Sequence, residues 1–198
     1  MTRDADLQGF LDELLAAFAR VSPGSASRDS LLRIADRLEV PQPSRAGLGS
    51  RLSVCAHLEP ALAIAAQHPQ LATLVARFQM IEPRLQWKTR SIGDGSGSPD
   101  FPDGHANVMV FGPGGLEDRA DIQLGASLIA PNVRYPNHDH PPEETYLVLS
   151  DSEFQHGDSG WFSPGINGSF YNVPGIRHAM RAGETPLFAF WALLPDQA

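Results

Sequence analysis

The chain of 198 residues is long enough for one domain with an appendage or for two small domains. A hydrophobic fraction of 42% supports a buried core, and 18 glycines with 17 prolines favour many turns, as in an all-β architecture, over a long helical bundle. The formal net charge of -8 argues against nucleic acid and anionic membrane surfaces as partners. No run of about 20 apolar residues, the length a membrane span needs, occurs in the sequence.

The amino terminus and the single cysteine both favour the cytosol. The first six residues carry acids and lack the basic start, apolar core and small-residue cleavage site of a secretory signal. Cys55 has no partner for an internal disulfide, and its apolar helical context indicates a packing role. We therefore expect a cytoplasmic protein.

The first part of the chain shows apolar residues at helical spacing. This pattern predicts helices over 6–20, 28–39, 51–67 and 70–80. The segment contains no catalytic or metal-binding pattern. We expect these helices to cover one side of the remaining fold or to build the contact of a homodimer.

After Pro83 the pattern changes to short alternating or apolar runs between Gly/Pro turns, which predicts a β-sandwich or barrel. Strands are expected at 85–92, 106–112, 121–130, 143–150, 153–156, 169–173, 177–182 and 187–194. The glycine run at 112–115 lacks the Gly-Lys-Ser/Thr ending of a phosphate-binding loop, so we interpret it as a turn. The chain is therefore divided into a helical extension, 1–83, and a β-barrel, 84–198.

The strongest chemical pattern lies in residues 135–146, Tyr-Pro-Asn-His-Asp-His-Pro-Pro-Glu-Glu-Thr-Tyr. Its even positions include His138, His140, Glu144 and Tyr146. In an extended strand these side chains project to one face. Two imidazoles and a carboxylate suit a first-row divalent metal with open positions. His178, which follows a Pro-Gly turn and opens another strand pattern, is placed to complete the set.

These residues resemble the two motifs of the cupin superfamily. The first motif corresponds to the run from His138 to Glu144, and the second to the run from Gly168 through Pro174 to His178. The glycine usual after the first motif is missing, and Ala182 replaces an asparagine often found after the second. These departures affect turns, not ligands. The resemblance implies a mainly β fold, a cupin barrel (double-stranded β-helix or jelly roll), with an N-terminal α-helical extension.

A more specific resemblance is to the cupin-type dimethylsulfoniopropionate (DMSP) lyases, most closely the short bacterial type with an N-terminal helical extension. It rests on the run from Tyr135 to Ser150, on Gly-Trp-Phe at 160–162 and on Asn-Val-Pro-Gly-Ile-Arg-His-Ala-Met at 172–180. The discriminating feature is Tyr146, two residues beyond the ligand glutamate. The resemblance implies a carbon–sulfur lyase that takes a small sulfonium zwitterion, DMSP, and forms dimethyl sulfide and acrylate by β-elimination.

The resemblance and the shared strand face also assign roles. One divalent transition metal, Fe2+, Zn2+, Mn2+, Co2+ or Ni2+, is expected to be bound by His138, His140, Glu144 and His178. Tyr146 is the expected base, because a nearby cation lowers the pKa of a phenol. Tyr135 is the second candidate, as an alternate base or as a donor to the substrate carboxylate. Trp191 and Trp87 are expected to bind the sulfonium through their ring faces.

Two other functions fit the same motifs. A cupin oxygenase would need iron and consume dioxygen, whereas elimination runs anaerobically and with several divalent metals. A non-catalytic cupin that binds a small ligand would not need Tyr146. A DNA-linked regulator is disfavoured by the acidic balance and by the lack of a basic recognition helix.

Overall fold

The structure is a computed structural model and describes residues 2–91 and 94–195. Within these ranges four α-helices come first: α1 (Ala5–Val21), α2 (Ser25–Leu38), α3 (Leu58–Ala66) and α4 (Ala72–Ile81). They confirm the helical character of the N-terminal segment. The helix predicted over 51–67 begins later than expected, because Ser53–His57 forms a turn of 3-10 helix before α3.

The described residues after α4 contain nine strands. They are β1 (Trp87–Lys88), β2 (His105–Phe111), β3 (Gln123–Ile129), β4 (Arg134–His138), β5 (Glu143–Val148), β6 (Ser152–His156), β7 (Ser169–Asn172), β8 (His178–Ala182) and β9 (Leu187–Leu194). The pattern had not separated β4 from β5. The strand predicted over 85–92 is only the two-residue β1, and residue 92 lies outside the described residues.

The strands form two antiparallel sheets that pack against each other. One sheet has the order β1-β2-β3-β9-β5-β7, and the other has the order β4-β8-β6. An inner hydrophobic core between them includes Tyr146 and Trp191 from the large sheet and Phe154 and Met180 from the small sheet. This two-sheet barrel with an N-terminal helical segment confirms the predicted cupin architecture.

The helices cover the outer face of the six-stranded sheet. The ring of Phe190 on β9 lies 5.5 Å from that of Phe10 on α1 and 5.2 Å from that of Phe78 on α4. Burying a side chain of this size stabilises the fold by about 1.5–3 kcal/mol. The helices and the sheet therefore share one outer core. Of the two expectations for the helices, coverage of the barrel is confirmed; a homodimer contact stays a prediction.

A buried ionic network ties the amino terminus to the barrel. Glu117, in the β2–β3 connection, is fully buried and accepts from Arg3 Nε at 2.6 Å and from Arg119 Nη1 at 2.8 Å. Arg119 also donates to Asp121 Oδ1 at 2.7 Å and to the carbonyl of Arg37 in α2 at 2.6 Å. Because an uncompensated buried charge costs about 3–5 kcal/mol, these partners hold one another in place.

No helix among the residues described has both the length and the apolar character needed to cross a bilayer.

Candidate active site

A cavity of about 500 Å³ opens on the inner face of the six-stranded sheet. Its walls include six of the residues that the sequence singled out: Tyr135, His138, His140, Glu144, Tyr146 and Trp191. His178, the remaining expected ligand, is buried beside Glu144. The fold therefore gathers the two motifs around one space.

The motif residues do not lie on one strand. His138 ends β4 in the small sheet, whereas Glu144 and Tyr146 belong to β5 in the large sheet. His140 lies in the connection, where two consecutive prolines follow it. Proline lacks the N–H that a strand ladder needs, so the chain turns here and changes sheets. The expectation that a single extended strand presents all four side chains is wrong; alternation holds only for Glu144 and Tyr146.

Three side chains form a compact cluster of candidate metal ligands. One ligand atom from each of His140, Glu144 and His178 lies within 4.8 Å of the others. The Glu144 Oε2 atom is 3.3 Å from His140 Nε2 and 3.4 Å from His178 Nε2. The His138 ring lies next to this cluster, with its centroid 4.0 Å from that of His178. A ligand role for His138 stays a prediction.

The backbone sets the tautomer of all three histidines. Each Nδ1 lies next to a carbonyl two residues away and, as the N–H donor of that bond, leaves Nε2 with its lone pair free. For His138, His140 and His178 the acceptors are Pro136, Pro142 and Ile176, at 3.0, 2.9 and 2.9 Å. Histidines that bind metals are usually oriented in this way.

One buried atom of the cluster lacks a partner. His178 Nε2 is buried and has no hydrogen bond within the described part of the chain. Burying an unpartnered polar atom is unfavourable, and a metal ion that accepts its lone pair would remove this cost. Together with the imidazole–carboxylate composition, this atom makes the cluster suitable for a divalent transition metal.

The electrostatics of the cluster favour an ionised carboxylate and two neutral imidazoles. Burial, reinforced by His178, lowers the pKa of His138 to about 3, and burial also lowers the pKa of His178. Burial pulls the pKa of His140 down, but the Glu144 carboxylate outweighs it and raises that pKa. Burial raises the pKa of Glu144, yet the hydrogen bond from His140 and the charges of the histidines bring it below its usual value. An ionised carboxylate thus lies beside His138 and His178, whose neutral forms are favoured, and beside His140, whose proton a metal ion would have to displace.

Tyr146 is buried beside the cluster. Its ring stacks on Phe170 of the neighbouring β7, with centroids 4.8 Å apart and an interplanar angle of 11°. Burial raises the pKa of Tyr146 well above its ordinary value, and the negative charge of Glu144 raises it further. The phenol is therefore protonated unless positive charge is brought close to it.

Tyr135 reaches the same cavity in spite of its odd position. The β4–β8 register shifts, so that Tyr135 lies opposite Met180 but His138 lies opposite His178. This bulge adds one residue to β4 and turns both side chains to the inner face. Asn107 Nδ2 donates to the Tyr135 hydroxyl at 3.4 Å. Burial raises the pKa of Tyr135 above its usual value.

The two tryptophans lie on opposite faces of the large sheet. Trp191 lines the cavity, and its Nε1 donates to Ser127 Oγ at 3.1 Å. Trp87 packs in the outer core, and its Nε1 donates to Glu82 Oε1 at 2.8 Å. The expectation that Trp87 binds substrate is wrong, because alternation along β1 directs it towards the helices.

Sequence reasoning missed Asn172, which supports the cluster from behind. Its side chain is completely buried, its Nδ2 donates to Glu144 Oε2 at 3.3 Å, and its Oδ1 accepts from His156 Nδ1 at 3.1 Å. Asn172 lies directly opposite Glu144 in the β5–β7 pair. The sequence shows only a polar residue at an inward position of a short strand. The pairing of β5 with β7 is needed to see that this residue lies beside Glu144.

It also missed Lys88 and Arg90, which line the cavity. In the sequence they are the polar alternates of Leu85 and Trp87, a pattern equally typical of a strand face in solvent. The order of strands in the sheet places this face inside the barrel mouth.

Comparison with known families shows which family the chain belongs to. The family model for dimethylsulfoniopropionate lyase matches residues 26–189, which include the whole cluster and both tyrosines. The chain belongs to the DMSP lyase family. It is accordingly a carbon–sulfur lyase, and the resemblance inferred from the motifs is confirmed.

Two solved structures share the fold of this DMSP lyase family member. The DMSP lyase DddQ from Ruegeria pomeroyi DSS-3 is 24% identical, with a TM-score of 0.68 over 98% of this chain and 93% of that chain. A structure described among the DMSP lyases RdDddP and RnDddQII is 16% identical, with a TM-score of 0.66 over 96% of this chain and 93% of that chain. At these identities the likeness establishes the fold. A search of curated protein sequences found no significant match.

Proposed function

We propose that this member of the DMSP lyase family is a metal-dependent enzyme that cleaves DMSP by β-elimination to dimethyl sulfide and acrylate. The observation that supports this is the placement of Tyr146 next to the cluster of His140, Glu144 and His178 in one cavity. A carbon acid, a base and a site for negative charge are then brought together in one cavity.

The metal site would be formed by His140, Glu144 and His178, with His138 as a fourth ligand. When bound, a divalent ion supplies Lewis acidity that stabilises the negative charge growing on the substrate carboxylate, and its positive charge lowers the pKa of the nearby phenol. The chemistry of the donor set accommodates Zn2+, Fe2+, Mn2+, Co2+ or Ni2+.

Tyr146 acts as the base in this proposal. Its phenolate takes the proton from the carbon next to the carboxylate, and the C–H electron pair becomes the carbon–carbon double bond. The bond between the β-carbon and sulfur breaks, and its electrons leave with sulfur as neutral dimethyl sulfide. Acrylate remains, and Tyr146 holds the proton until it returns to solvent. Tyr135 is the alternate base or a donor to the carboxylate.

The raised pKa of Tyr146 explains why positive charge must enter the site. In the protein alone, burial and Glu144 keep the phenol protonated, so it is a poor base. A bound cation and the sulfonium of the substrate both favour the phenolate. The base is therefore activated only when the site is loaded.

Trp191 would hold the sulfonium end. An aromatic ring face attracts a cation by about 0.5–2 kcal/mol, and this attraction disappears when the leaving group becomes neutral. The indole is held in the wall by its hydrogen bond to Ser127. Release of dimethyl sulfide is then easier than binding of the charged substrate.

Headspace measurement of dimethyl sulfide from the purified protein tests the proposal. With DMSP and a divalent metal we expect release under anaerobic conditions, loss of release with a chelator, and recovery when metal is restored. No release from any metal-loaded sample would refute the lyase, and a requirement for dioxygen would favour an oxygenase instead.

A further inference from the structure

Arg90 extends a cation into the cavity close to both tyrosines. Arg90 lines the same cavity as Tyr135 and Tyr146, and its positive charge works to lower the pKa of the Tyr135 phenol. His138 lines this cavity as well. The guanidinium therefore lies within the reach of a small molecule that contacts the tyrosines.

This arginine has no acidic partner in the described part of the chain. None of the ion pairs within 4.0 Å found there involves Arg90. Glu144, the acid in the cavity wall, is already engaged by His140 and Asn172. A planar guanidinium without a carboxylate partner is suited to bind a carboxylate through two parallel hydrogen bonds.

The backbone of Arg90 is held by a buried histidine. The Arg90 N–H donates to His105 Nε2 at 2.9 Å, and His105 Nδ1 lies 2.5 Å from the carbonyl oxygen of Phe101. His105 is 1% exposed, and its ring stacks on that of Phe101 with the ring centroids 3.9 Å apart. With one nitrogen donating and the other accepting, the ring is neutral, and burial lowers its pKa to keep it so.

A chain of hydrogen bonds separates this cation from the aromatic wall. Trp191 Nε1 donates to Ser127 Oγ at 3.1 Å, Ser127 Oγ donates to Asn107 Oδ1 at 2.5 Å, and Asn107 Nδ2 donates to Tyr135 at 3.4 Å. The cavity lining thus combines an aromatic wall at Trp191 with the cationic side chains of Arg90 and Lys88. A zwitterion with an anionic and a cationic end has one favoured orientation in such a space.

We infer that Arg90 binds the carboxylate end of the substrate and that His105 is the positioning residue that holds it there. The inference rests on the proposed function, because it concerns the orientation of DMSP in the same cavity. It makes Arg90 the residue that selects sulfonium compounds carrying a carboxylate over those that carry only the cation.

Two one-ended probes test the inference on the metal-loaded protein. Propionate carries the carboxylate alone, and trimethylsulfonium carries the cation alone. In R90M we expect calorimetry to show propionate binding weakened about 10–100-fold, because a charge-assisted hydrogen-bonded pair is lost. Trimethylsulfonium binding and metal content should stay unchanged. H105F, which removes the acceptor, should weaken propionate binding in the same direction but less. The exposed Arg20 on α1 provides the matched control, R20M, with no change.

Chemical rescue separates binding from a merely structural effect. Added guanidinium should restore part of the propionate affinity and part of the DMSP KM in R90A, because it replaces the missing group. Unchanged propionate binding in R90M would overturn the inference even if wild-type protein releases dimethyl sulfide. If R90M weakens propionate binding but the wild-type protein releases no dimethyl sulfide, Arg90 is sustained as the anion site and the lyase proposal is refuted.

Discussion

At the residue scale, the Tyr146 hydroxyl combines two opposing influences. Burial and the Glu144 charge hold it protonated, whereas the proposed metal and the sulfonium favour its ionisation. Its ring is held by stacking on Phe170, so the geometry does not depend on the hydroxyl. The phenol oxygen can therefore be removed without moving the ring.

Tyr146→Phe tests this residue directly. Because a positioned base contributes about 10²–10⁴ to the rate, kcat for dimethyl sulfide release should fall by that factor. Metal content, measured by elemental analysis, and the midpoint of thermal unfolding should stay near wild type. Full turnover in this variant would transfer the role of base to Tyr135, and Y135F is the paired experiment.

Asn172 acts on the cluster through Glu144. Asn172→Leu removes the donor to Glu144 Oε2 at 3.3 Å. Loss of such a supporting bond costs about 10–100-fold in metal affinity. His156→Phe removes only the outer bond of the chain and should have a smaller effect in the same direction. Equal metal affinity in N172L and wild type, measured by competition with a chelator, would show that Glu144 needs no such support.

At the element scale, strand β3 provides the space that Trp191 occupies. A Cβ at Gly125 would lie 2.3 Å from Trp191 Cη2 and 2.2 Å from the backbone oxygen of Val108. Neither contact is tolerable, and the backbone atom cannot move without disturbing the β2–β3 ladder. Glycine is therefore required in the wall opposite the indole.

Gly125→Ala should displace the indole and strain the sheet. We expect a loss of about 1–3 kcal/mol in the free energy of unfolding, as for other overpacked sites, together with a higher KM for DMSP. Tryptophan fluorescence and thermal unfolding measure the two effects. Gly183→Ala is the control, since a Cβ there meets nothing within 4 Å. Identical behaviour of the two variants would contradict the role of Gly125.

At the scale of the whole molecule, the helices and the large sheet bury one outer core between them. The division at residues 83 and 84 remains a proposal about chain organisation. The shared core predicts that the two segments unfold together. Phe78 contacts Phe10, Phe188 and Phe190, so it lies where both segments meet.

Phe78→Ala and a deletion of residues 1–83 test this coupling. The substitution should lower the free energy of unfolding by about 3–5 kcal/mol. Circular dichroism of the helices and tryptophan fluorescence should still report one coincident unfolding transition, at a lower midpoint than in wild type. The deletion exposes the outer face of the sheet, so the remaining barrel should not fold. Two separated transitions, or a cooperatively folded fragment, would show two independent domains.

The buried ionic network predicts part of the response to acid. The hydrogen bond from Arg119 lowers the pKa of Asp121 below its ordinary 3.8. As the pH falls below 3.8, Asp121 becomes protonated in the unfolded chain before it does so in the folded protein. The stability that the ionised Asp121 contributes at higher pH is therefore lost as the pH falls. Asp121→Asn should lose at most about 0.5 kcal/mol at neutral pH, because the carboxylate is 40% exposed. Urea unfolding at pH 7 and pH 3 should show a smaller difference for D121N than for wild type.

Local pattern was enough to assign much of this protein. The helices, eight of the nine described strands, the cupin motifs and the family follow from short-range periodicity and from chemistry concentrated in a few neighbouring residues. Glu144 and Tyr146 share a face because two residues is the period of a strand.

The remaining features depend on which distant segments meet. The paired prolines send His138 and Glu144 into different sheets, and a bulge turns Tyr135 inward. Strand β1 directs Trp87 outward and Lys88 into the cavity, which Arg90, just beyond the strand, also lines. Asn172 acquires its contact with Glu144 through the pairing of β5 with β7. A sequence pattern gives the two faces of a strand but not which face is enclosed, because that is set by the packing of the sheets and helices around it.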